Sequence, residues 1–378
     1  MPDVLIYADT FRSPELRHEV PLGVPDPFLY AEVGGVRHIA IGSMEIPRLA
    51  ALGAFELHPF EEFGADELIA AGTSYRELRR EIPARAVKSF GLTRASVPET
   101  FPLWLADRLR DDGVELDVDG DLFDDRRRVK SDAELAGMRR AQRAAEAGMD
   151  AARDLLRRAT PNGVGVAVDG EPLTVERIKI AMAHAFAEHG STCDDFIVAP
   201  GPQGAVGHDM GSGPVRPGLP VVIDIWPRDN ETSCYSDMTR TYVVGEVPDQ
   251  VEQWHALCKQ ALDAAIAEIR DGADGRHVYD VTCELFEAAG EPTQRTKEPG
   301  KPLAEGFFHG LGHGVGLEVH EQPGMGLASK TALRAGDVVT GEPGLYRQGY
   351  GGVRLEDLVL VTGSGAENLT QYPYDLQP

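Results

Sequence analysis

The sequence has few cysteines, and their spacing argues against a site or a scaffold built on thiols. The 378 residues include only 4 cysteines, Cys193, Cys234, Cys258 and Cys283, and no two of them form a C-x-x-C pair. Scattered cysteines in a chain of this size are typical of a reduced cytosolic protein. We expect each of them to be a small, buried, apolar side chain.

Long apolar runs are also lacking. No run of apolar residues approaches the roughly 20 that a membrane-spanning helix requires. Residues 1–7 contain no basic stretch followed by an apolar core, so we predict no signal peptide. We therefore expect a soluble, cytoplasmic protein that has no membrane partner.

Basic residues are outnumbered by acidic ones. The chain has 37 Lys and Arg against 61 Asp and Glu, and its formal net charge is -24. A surface this negative repels phosphate backbones, so nucleic acid is not expected as a partner. The simplest interpretation of the acidity is a surface adaptation unrelated to any reaction. The 42% of hydrophobic residues is typical of a globular chain, and its length allows two domains.

The first third of the chain alternates short apolar strands with helical patterns. Strands are predicted at residues 4–7 and 37–41, and helices at residues 43–52, 74–80 and 102–111. This order indicates an α/β domain. The charge-dense residues 124–130 then interrupt the pattern, and we interpret them as a solvated connector. We place the domain boundary there, so that residues 1–125 form one domain and residues 126–378 the second.

The second domain mixes helices and strands. Ser131 and Glu134 form the S-x-x-E pattern of a capping box, which predicts a long amphipathic helix ending near Arg158. Further helices are predicted at residues 174–189, 249–270 and 276–289. Strands are predicted at residues 196–199, 219–225, 238–244, 338–340 and 357–361. The glycine- and valine-rich residues 161–172 indicate an extended loop or hairpin.

Residues 307–321 contain three histidines, His309, His313 and His320, separated by four and seven residues and interleaved with glycines. Imidazole is the commonest metal ligand and the usual acid–base group near neutral pH. The glycines do not have the G-x-G-x-x-G spacing or the Walker lysine of a nucleotide-binding loop, and the chain has no H-E-x-x-H motif. The histidines outside this run and outside Gly207–Asp209 show no partner pattern, and we expect surface or satisfied core positions for His18, His38, His58, His184, His189, His255 and His277.

Four carboxylates in strand-like surroundings complete the pattern: Asp224, Asp237, Glu342 and Glu356. A carboxylate in an otherwise buried strand is costly without a charge partner. Either aspartate alone could be an acid at a strand end facing water, but that interpretation fits the set of four poorly.

Convergence of these carboxylates would require cations, because neighbouring negative charges raise one another's pKa values. Two divalent ions about 3.5–4 Å apart are a common arrangement for amide hydrolysis. Carboxylate and imidazole donors without thiolate favour manganese, cobalt, zinc or iron(II). Arg354 alternates with Glu356 along its strand and could bind an anionic group.

On these motifs, residues 128–361 resemble the pita-bread metallopeptidase family, which includes Xaa-Pro aminopeptidases, prolidases, methionine aminopeptidases and the metal-free creatinases. The resemblance implies an α/β N-terminal domain followed by an α+β pita-bread (creatinase/aminopeptidase) catalytic domain. It also implies two divalent metal ions per chain, with manganese expected first, and a homodimer. Trp226 departs from the family pattern, which usually has a small residue there, and we expect it to reshape the pocket.

The resemblance assigns roles to nine residues. Asp224 would bind one metal ion, Asp237 and Glu356 would bridge both ions, and His313 and Glu342 would complete the second site. Glu342 would also transfer the proton of the attacking water. His208 would contact the substrate or the leaving group, and His309 and His320 would stabilise the tetrahedral intermediate. Arg354 matches a substrate-binding arginine of the family.

The N-terminal α/β domain and the complete ligand set favour one activity within the family. We expect a Xaa-Pro aminopeptidase that acts on proline-containing peptides, with a prolidase restricted to Xaa-Pro dipeptides as the alternative. A catalytically silent peptide- or protein-binding module on the same fold is a hypothesis of another class. A creatinase-like amidinohydrolase is a further one, and it would stay active in the presence of a chelator.

Overall fold

Two adjacent arginines, Arg127 and Arg128, mark the point at which the chain divides. The computed structural model describes residues 2–163 and 165–378, and it separates into an N-terminal unit, Met1–Arg127, and a C-terminal unit, Arg128–Pro378. The predicted boundary, between residues 125 and 126, lies two residues before the observed one.

The N-terminal unit is built on a six-stranded mixed sheet. Its strands are β1 (Val4–Ala8), β2 (Phe28–Val33), β3 (Val36–Ile41), β4 (Glu56–Pro59), β5 (Arg94–Val97) and β6 (Glu115–Val118). The sheet order is β4-β3-β2-β1-β5-β6, in which β1, β2 and β3 pair antiparallel and the outer pairs are parallel. The helices are α1 (Pro14–Glu19), α2 (Ile46–Ala50), α3 (Ala65–Ala70), α4 (Tyr75–Ser89), α5 (Leu103–Asp111) and α6 (Gly120–Arg128). The predicted α/β character of this region is confirmed.

The arginine run is helical and paired, so its interpretation as a solvated connector is wrong. Arg126 donates hydrogen bonds to Glu19 at 2.6 Å and to Glu32 at 2.8 Å. Arg128 is buried and donates to both carboxylate oxygens of Asp337, at 2.9 and 2.6 Å. A guanidinium is tolerated inside a protein when a carboxylate faces it in this way. These partners lie far away along the chain, so the local sequence suggested exposure instead.

Four helices belong to the C-terminal unit: α7 (Asp132–Arg158), α8 (Val175–Glu188), α9 (Asp249–Glu268) and α10 (Gly275–Ala288). The predicted capping box is present at the start of α7. Ser131 Oγ accepts a hydrogen bond from the Glu134 amide, and Glu134 Oε2 accepts one from the Ser131 amide at 2.8 Å. This reciprocal pairing satisfies amide groups that a helix leaves free at its first turn.

The strands of the C-terminal unit form several small antiparallel sheets. Their bounds are β7 (Thr160–Asn162), β8 (Gly165–Val168), β9 (Glu171–Pro172), β10 (Ser191–Thr192), β11 (Ile197–Pro200), β12 (Pro220–Ile225), β13 (Arg228–Asp229), β14 (Met238–Val243), β15 (Glu305–Gly306), β16 (Gly312–Gly314), β17 (Glu321–Met325), β18 (Val338–Gly341), β19 (Gly344–Arg347), β20 (Gly351–Arg354), β21 (Asp357–Thr362) and β22 (Gly365–Asn368). Three sheets matter for the site, with the orders β11-β12-β14, β15-β19-β20 and β17-β16-β18-β21-β22. Strands β7, β8 and β9 pair as hairpins, as predicted for residues 161–172, although Val164 lies outside the described residues.

Two apolar clusters hold helices against these sheets. In one, Met149 of α7 and Met182 of α8 pack with Ile223 of β12. In the other, side chains of α9 and α10, such as Leu262 and Phe286, pack with those of the longer sheet. In both clusters, helices pack against strands of the sheets from which the predicted ligand residues come.

The structure bears on two expectations from the sequence, the burial of the cysteines and the lack of a membrane-spanning helix. Cys234, Cys258 and Cys283 are buried free thiols as predicted, whereas Cys193 is partly exposed. Within the part of the chain that the structure describes, every helix is too short or too polar to span a bilayer.

Candidate metal centre

The pairing of β12 with β14 places two of the predicted carboxylates side by side. The strands run antiparallel with Asp224 opposite Thr239, and Asp237 directly precedes β14. Asp224 lies near the end of a strand whose other residues are all buried, so its carboxylate emerges where the strand reaches the cavity. The apolar run ending in an aspartate therefore had the structural meaning that the sequence indicated.

Glu356 joins these strands through Thr239. An isolated bridge pairs the two residues, in which the Glu356 amide donates to the Thr239 carbonyl at 3.1 Å. In addition, Thr239 Oγ1 donates to Glu356 Oε2 at 2.8 Å. Both residues are at most 2% exposed, so this hydrogen bond is shielded from water and orients the Glu356 carboxylate.

His313 lies at the centre of β16, between two glycines that the packing requires. A Cβ atom at Gly312 would collide with the carbonyl oxygen of Thr340, and one at Gly314 would collide with that of Gln322. The alternation of glycine and histidine thus lets the strands on either side of β16 approach it closely. These glycines therefore make room for neighbouring backbone.

The remaining predicted carboxylate, Glu342, follows directly after β18. Its amide donates to the carbonyl of Leu311 at 2.7 Å, and its Oε1 lies 3.7 Å from His313 Nε2. The same imidazole nitrogen lies 3.8 Å from Asp237 Oδ2. His313 Nε2 therefore faces two carboxylates at separations longer than hydrogen bonds.

The donor set fits a divalent cation. Ligand atoms of Asp237, His313 and Glu356 all lie within 4.8 Å of one another. Among the described residues, Asp237 Oδ1 is a buried oxygen without a hydrogen-bond partner. A buried carboxylate oxygen without a donor is costly unless a cation or another donor compensates it. Metal ions at this point would supply that compensation.

The raised pKa values of these carboxyl groups also indicate that they need cations nearby to stay ionised. Burial, with the nearby charges of Glu356, Asp224 and Glu342, raises the pKa of Asp237 well above its ordinary value. Burial and the neighbouring Asp224 and Glu342 likewise raise the pKa of Glu356. Burial raises the pKa of Glu342 to about 8, although Arg354 opposes the shift. Cations in the cluster would oppose these shifts and favour the ionised carboxylates.

The tautomer of His313 follows from its contacts. Its Nδ1 lies 3.1 Å from the carbonyl oxygen of Gly314, which can only accept a hydrogen bond. Nδ1 therefore carries the hydrogen, and Nε2 presents its lone pair to Asp237 and Glu342. Burial, together with neighbouring His320, lowers the pKa of His313 to about 4, so the ring is neutral at pH 7. A neutral imidazole oriented by a backbone carbonyl is the usual form of a metal-binding histidine.

Arg354 lies beside the predicted ligands and is hydrogen-bonded to three neighbouring side chains. Its guanidinium donates to Asp224 Oδ2 at 2.6 Å, to the Tyr346 hydroxyl at 2.8 Å and to Thr239 Oγ1 at 3.3 Å. The Tyr346 oxygen accepts from Arg354, so its own hydrogen is available to His309 Nε2, 2.9 Å away. Because His309 Nδ1 lies 2.7 Å from the Gly310 carbonyl oxygen and donates to it, Nε2 is the acceptor.

All nine predicted residues line one cavity of about 610 Å³. The charged and imidazole side chains in its wall are Asp224, Asp237, His313, Glu342, Glu356, His208, His309, His320 and Arg354. His320 lies edge-on to His313, with ring centroids 4.2 Å apart. Apolar side chains complete the wall, among them Trp226, Phe308 and Val319. The expectation that Trp226 shapes the pocket agrees with its position.

Two polar residues of this network were not predicted, Tyr346 and Thr239. Tyr346 is buried on β19 opposite Gly352 of β20, and its hydroxyl links Arg354 to His309. In the sequence, the only indication of a role for Tyr346 is its position shortly after the predicted ligand Glu342. Thr239 could have been selected because it lies two residues after Asp237, and alternate residues of an extended chain point to the same face.

Comparison with known proteins agrees with this geometry. The sequence model of metallopeptidase family M24 matches residues 136–363 of the chain. The chain is 34% identical over 283 residues to the probable dipeptidase PepE of Mycobacterium tuberculosis, covering 74% of this chain and 68% of that protein. It is also 34% identical over 183 residues to the Xaa-Pro dipeptidase of Pyrococcus furiosus. That match covers 48% of this chain and 49% of the relative, about half of its length.

Solved structures show the same fold along the whole chain. The X-Pro aminopeptidase of Thermotoga maritima superposes with a TM-score of 0.80 at 21% identity, covering 100% of this chain and 97% of that chain. The prolidase of Pyrococcus furiosus superposes with a TM-score of 0.76 at 21% identity, over 99% and 97% of the two chains. The chain belongs to metallopeptidase family M24. The predicted fold class, an α/β N-terminal domain followed by a pita-bread catalytic domain, is confirmed.

Proposed function

We propose that this protein is a dinuclear-metal exopeptidase that hydrolyses the peptide bond between an N-terminal residue and proline. The observation that carries the proposal is the cavity whose wall combines the four carboxylates and one imidazole of the predicted ligand set with three further histidines. Membership of a metallopeptidase family supports hydrolysis. The names of the relatives and structural neighbours, Xaa-Pro dipeptidase, X-Pro aminopeptidase and prolidase, support specificity for proline.

The metal ions would be held by Asp224, Asp237, His313, Glu342 and Glu356. Asp237 and Glu356 are proposed as the bridging pair because both are buried and both approach neighbouring carboxylates. When bound, the ions supply positive charge that polarises the scissile carbonyl and acidifies the attacking water. Manganese is the proposed metal because oxygen donors dominate the set. A homodimer is proposed from the family resemblance.

The remaining residues position the substrate and move protons. We assign Glu342 as the group that accepts the proton of the attacking water and returns it to the proline nitrogen of the leaving product. His208 and His320 line the cavity and are assigned to hydrogen-bond the oxyanion of the tetrahedral intermediate. These assignments follow the family pattern at matching positions.

His309 and Arg354 have contacts that refine their predicted roles. Both ring nitrogens of His309 are hydrogen-bonded within the protein, to Gly310 and Tyr346. This supports a role in shaping the substrate wall together with the edge-packed ring of Phe307. Arg354 donates to Asp224, which supports a positioning role for that ligand, while its predicted contact with substrate stays a prediction.

An aminopeptidase and a dipeptidase differ in whether the peptide extends beyond proline. A second cavity of about 760 Å³ shares Phe308 and His309 with the first, and Gln294 and Lys330 also line it. This space favours a leaving product longer than free proline and therefore an aminopeptidase. The relatives named as dipeptidases favour the alternative, a prolidase restricted to Xaa-Pro dipeptides.

The experiment uses the full chain, stripped with a chelator and reloaded with manganese. A Xaa-Pro dipeptide, a Xaa-Pro-Yaa tripeptide and a Xaa-Ala-Yaa control are assayed in parallel. We expect metal-dependent cleavage of both proline substrates and little cleavage of the alanine control. Cleavage of the dipeptide alone identifies a prolidase. Full metal loading without turnover of either substrate supports the silent binding module, and peptide cleavage that persists in chelator contradicts a metal-dependent reaction.

A further inference from the structure

The N-terminal unit contains a second cluster of metal-ligand side chains, on the edge of its sheet. β4 is the edge strand and pairs parallel with β3, with His38 opposite Glu56 and Ala40 opposite His58. This register places the side chains of His38, Glu56 and His58 on one face of the sheet. The sequence shows no pattern that connects the two histidines, so their meeting on one face of the sheet was not predicted.

The three side chains converge on one point. His38 Nδ1 lies 3.2 Å from His58 Nε2 and 3.4 Å from Glu56 Oε2, and the three ligand atoms all lie within 4.8 Å of one another. Two imidazole nitrogens on one tetrahedral zinc ion, each at about 2.0–2.1 Å from it, are about 3.3 Å apart. The separation of the two histidine nitrogens matches this value.

Glu62 fixes the tautomer that a ligand would need. Its Oε2 lies 2.9 Å from His58 Nδ1, and a carboxylate accepts the hydrogen bond that Nδ1–H donates. The hydrogen on Nδ1 leaves the Nε2 lone pair directed at His38. A carboxylate behind a histidine is the common second layer of zinc sites, where it orients the ring and raises its basicity.

Aromatic rings hold the histidines from one side. The Phe90 ring stacks on His38, with centroids 4.7 Å apart and planes at 20°, and lies 5.0 Å from the His58 ring. Burial also lowers the pKa of His38, and the opposing effect of Glu56 is smaller. The Glu56 side chain is 62% exposed, which leaves the other side of the cluster accessible to an ion and to a water ligand.

We propose that His38, Glu56 and His58 form a zinc-binding site of the N-terminal unit, with Glu62 as its orienting carboxylate. A bound ion would connect the edge strand β4 to β3 through side chains in addition to the backbone ladder. Two histidines, one carboxylate and an open fourth position are a ligand set that zinc accepts readily. The site uses none of the residues assigned to the proposed peptidase centre, so the two proposals are independent.

The test counts zinc on the full chain by equilibrium dialysis and elemental analysis. Asp237→Ala and Glu356→Ala are introduced together to disable the peptidase centre, and bound metal is removed before dialysis. We expect about one zinc ion per chain to remain bound. Adding His38→Gln or His58→Gln should abolish that binding, and Glu62→Gln should weaken it about 10- to 100-fold. His184→Gln, at an exposed position of α8, is the matched control and should leave the count unchanged.

A further variant distinguishes loss of the zinc site from misfolding of the sheet. Glu56→Gln removes a ligand from an exposed side chain and should also weaken zinc binding while the circular dichroism spectrum stays the same. Zinc counts that do not respond to His38→Gln, His58→Gln or Glu56→Gln, or an absence of zinc before these changes, would overturn the proposal. His58→Gln in the otherwise unchanged chain should retain full peptidase activity, so failure of the peptidase proposal would show in the activity assay and leave the zinc count unaffected.

Discussion

Thr239 and Glu356 are connected by two hydrogen bonds, one through the backbone and one from the Thr239 hydroxyl to the Glu356 carboxylate at 2.8 Å. The residues are separated by more than a hundred positions in the chain. This pairing brings the segment between β20 and β21 to the edge of the β11-β12-β14 sheet. The proposed role of Glu356, bridging two metal ions, requires one orientation of its carboxylate, and Thr239 supplies a hydrogen bond that holds it.

Replacing Thr239 with valine should therefore weaken metal binding. Valine keeps the branched shape but removes the hydroxyl, and loss of such an orienting partner typically costs about 10- to 100-fold in metal affinity. Manganese titration of the chelator-stripped protein measures the change. Thr239→Ser should retain near-normal affinity because it keeps the hydroxyl. An unchanged affinity in Thr239→Val would contradict the orienting role.

Tyr346→Phe should lower turnover more than it lowers stability. The change removes the hydroxyl that accepts from Arg354 and donates to His309, a link between a ligand-positioning arginine and the substrate wall. A hydrogen bond to a charged group contributes about 1.5–3 kcal/mol, which corresponds to a loss of about 10- to 100-fold in kcat/KM if it acts fully in catalysis. Steady-state kinetics on a Xaa-Pro peptide test this. Tyr350→Phe, at a half-buried tyrosine that packs on Trp254, is the control.

Gly312→Ala should destabilise the C-terminal unit and displace His313. The added methyl group would collide with the Thr340 carbonyl and separate β16 from the neighbouring backbone. Overpacking of this kind typically costs about 1–3 kcal/mol. Urea unfolding of the chelated protein measures the loss. Gly324→Ala on the adjacent β17 is the matched control because a Cβ atom there meets no atom within 4 Å. Equal stability of the two variants would refute the packing argument for the glycine.

The stability of the metal-free protein should fall as the pH rises. Glu342 has an ordinary pKa of 4.5 and a folded-state pKa of about 8, so the folded chelated protein holds a proton that the unfolded chain has lost. Its contribution is therefore complete below about pH 4.5 and is lost as the pH rises towards 8. The raised pKa values of Asp237 and Glu356 act in the same direction.

Urea midpoints measured in chelator between pH 5 and 8 test this dependence. We expect a decreasing midpoint for the chelated protein and a much smaller decrease once manganese is bound, because the cations favour the ionised carboxylates. Glu342→Gln removes one of the titrating groups and should reduce the dependence in chelator. A chelated midpoint that rises over this range would show that the carboxylates are not crowded together as described.

Short-range patterns predicted much of the fold and the strand positions of the ligands. The run ending in Asp224 and the strand beginning after Asp237 are adjacent in the chain, so a simple antiparallel pairing brings them together. The capping box at Ser131 is likewise local. In contrast, the grouping of Glu342 and Glu356 with these strands depended on the family resemblance, because residues this distant in the chain carry no local signal of contact.

Contacts between distant residues explain what the sequence did not predict. Arg128 is buried against Asp337, about two hundred positions away, and its acidic neighbours suggested solvent exposure instead. His38 and His58 meet only because β3 and β4 pair in a particular register, which a strand pattern alone does not determine. Tyr346 gains its role from the cross-strand pairing of β19 with β20.

The most direct measurement counts metal ions in the peptidase centre. The protein carries His38→Gln and His58→Gln, so that the zinc site proposed for the N-terminal unit adds no ions to the count. It is reconstituted with manganese before elemental analysis. We expect about two ions per chain, and the loss of both upon Asp237→Asn, a change that keeps the shape of the side chain and removes its charge. Retention of the full metal content in Asp237→Asn, or no tightly held metal before it, would contradict the account.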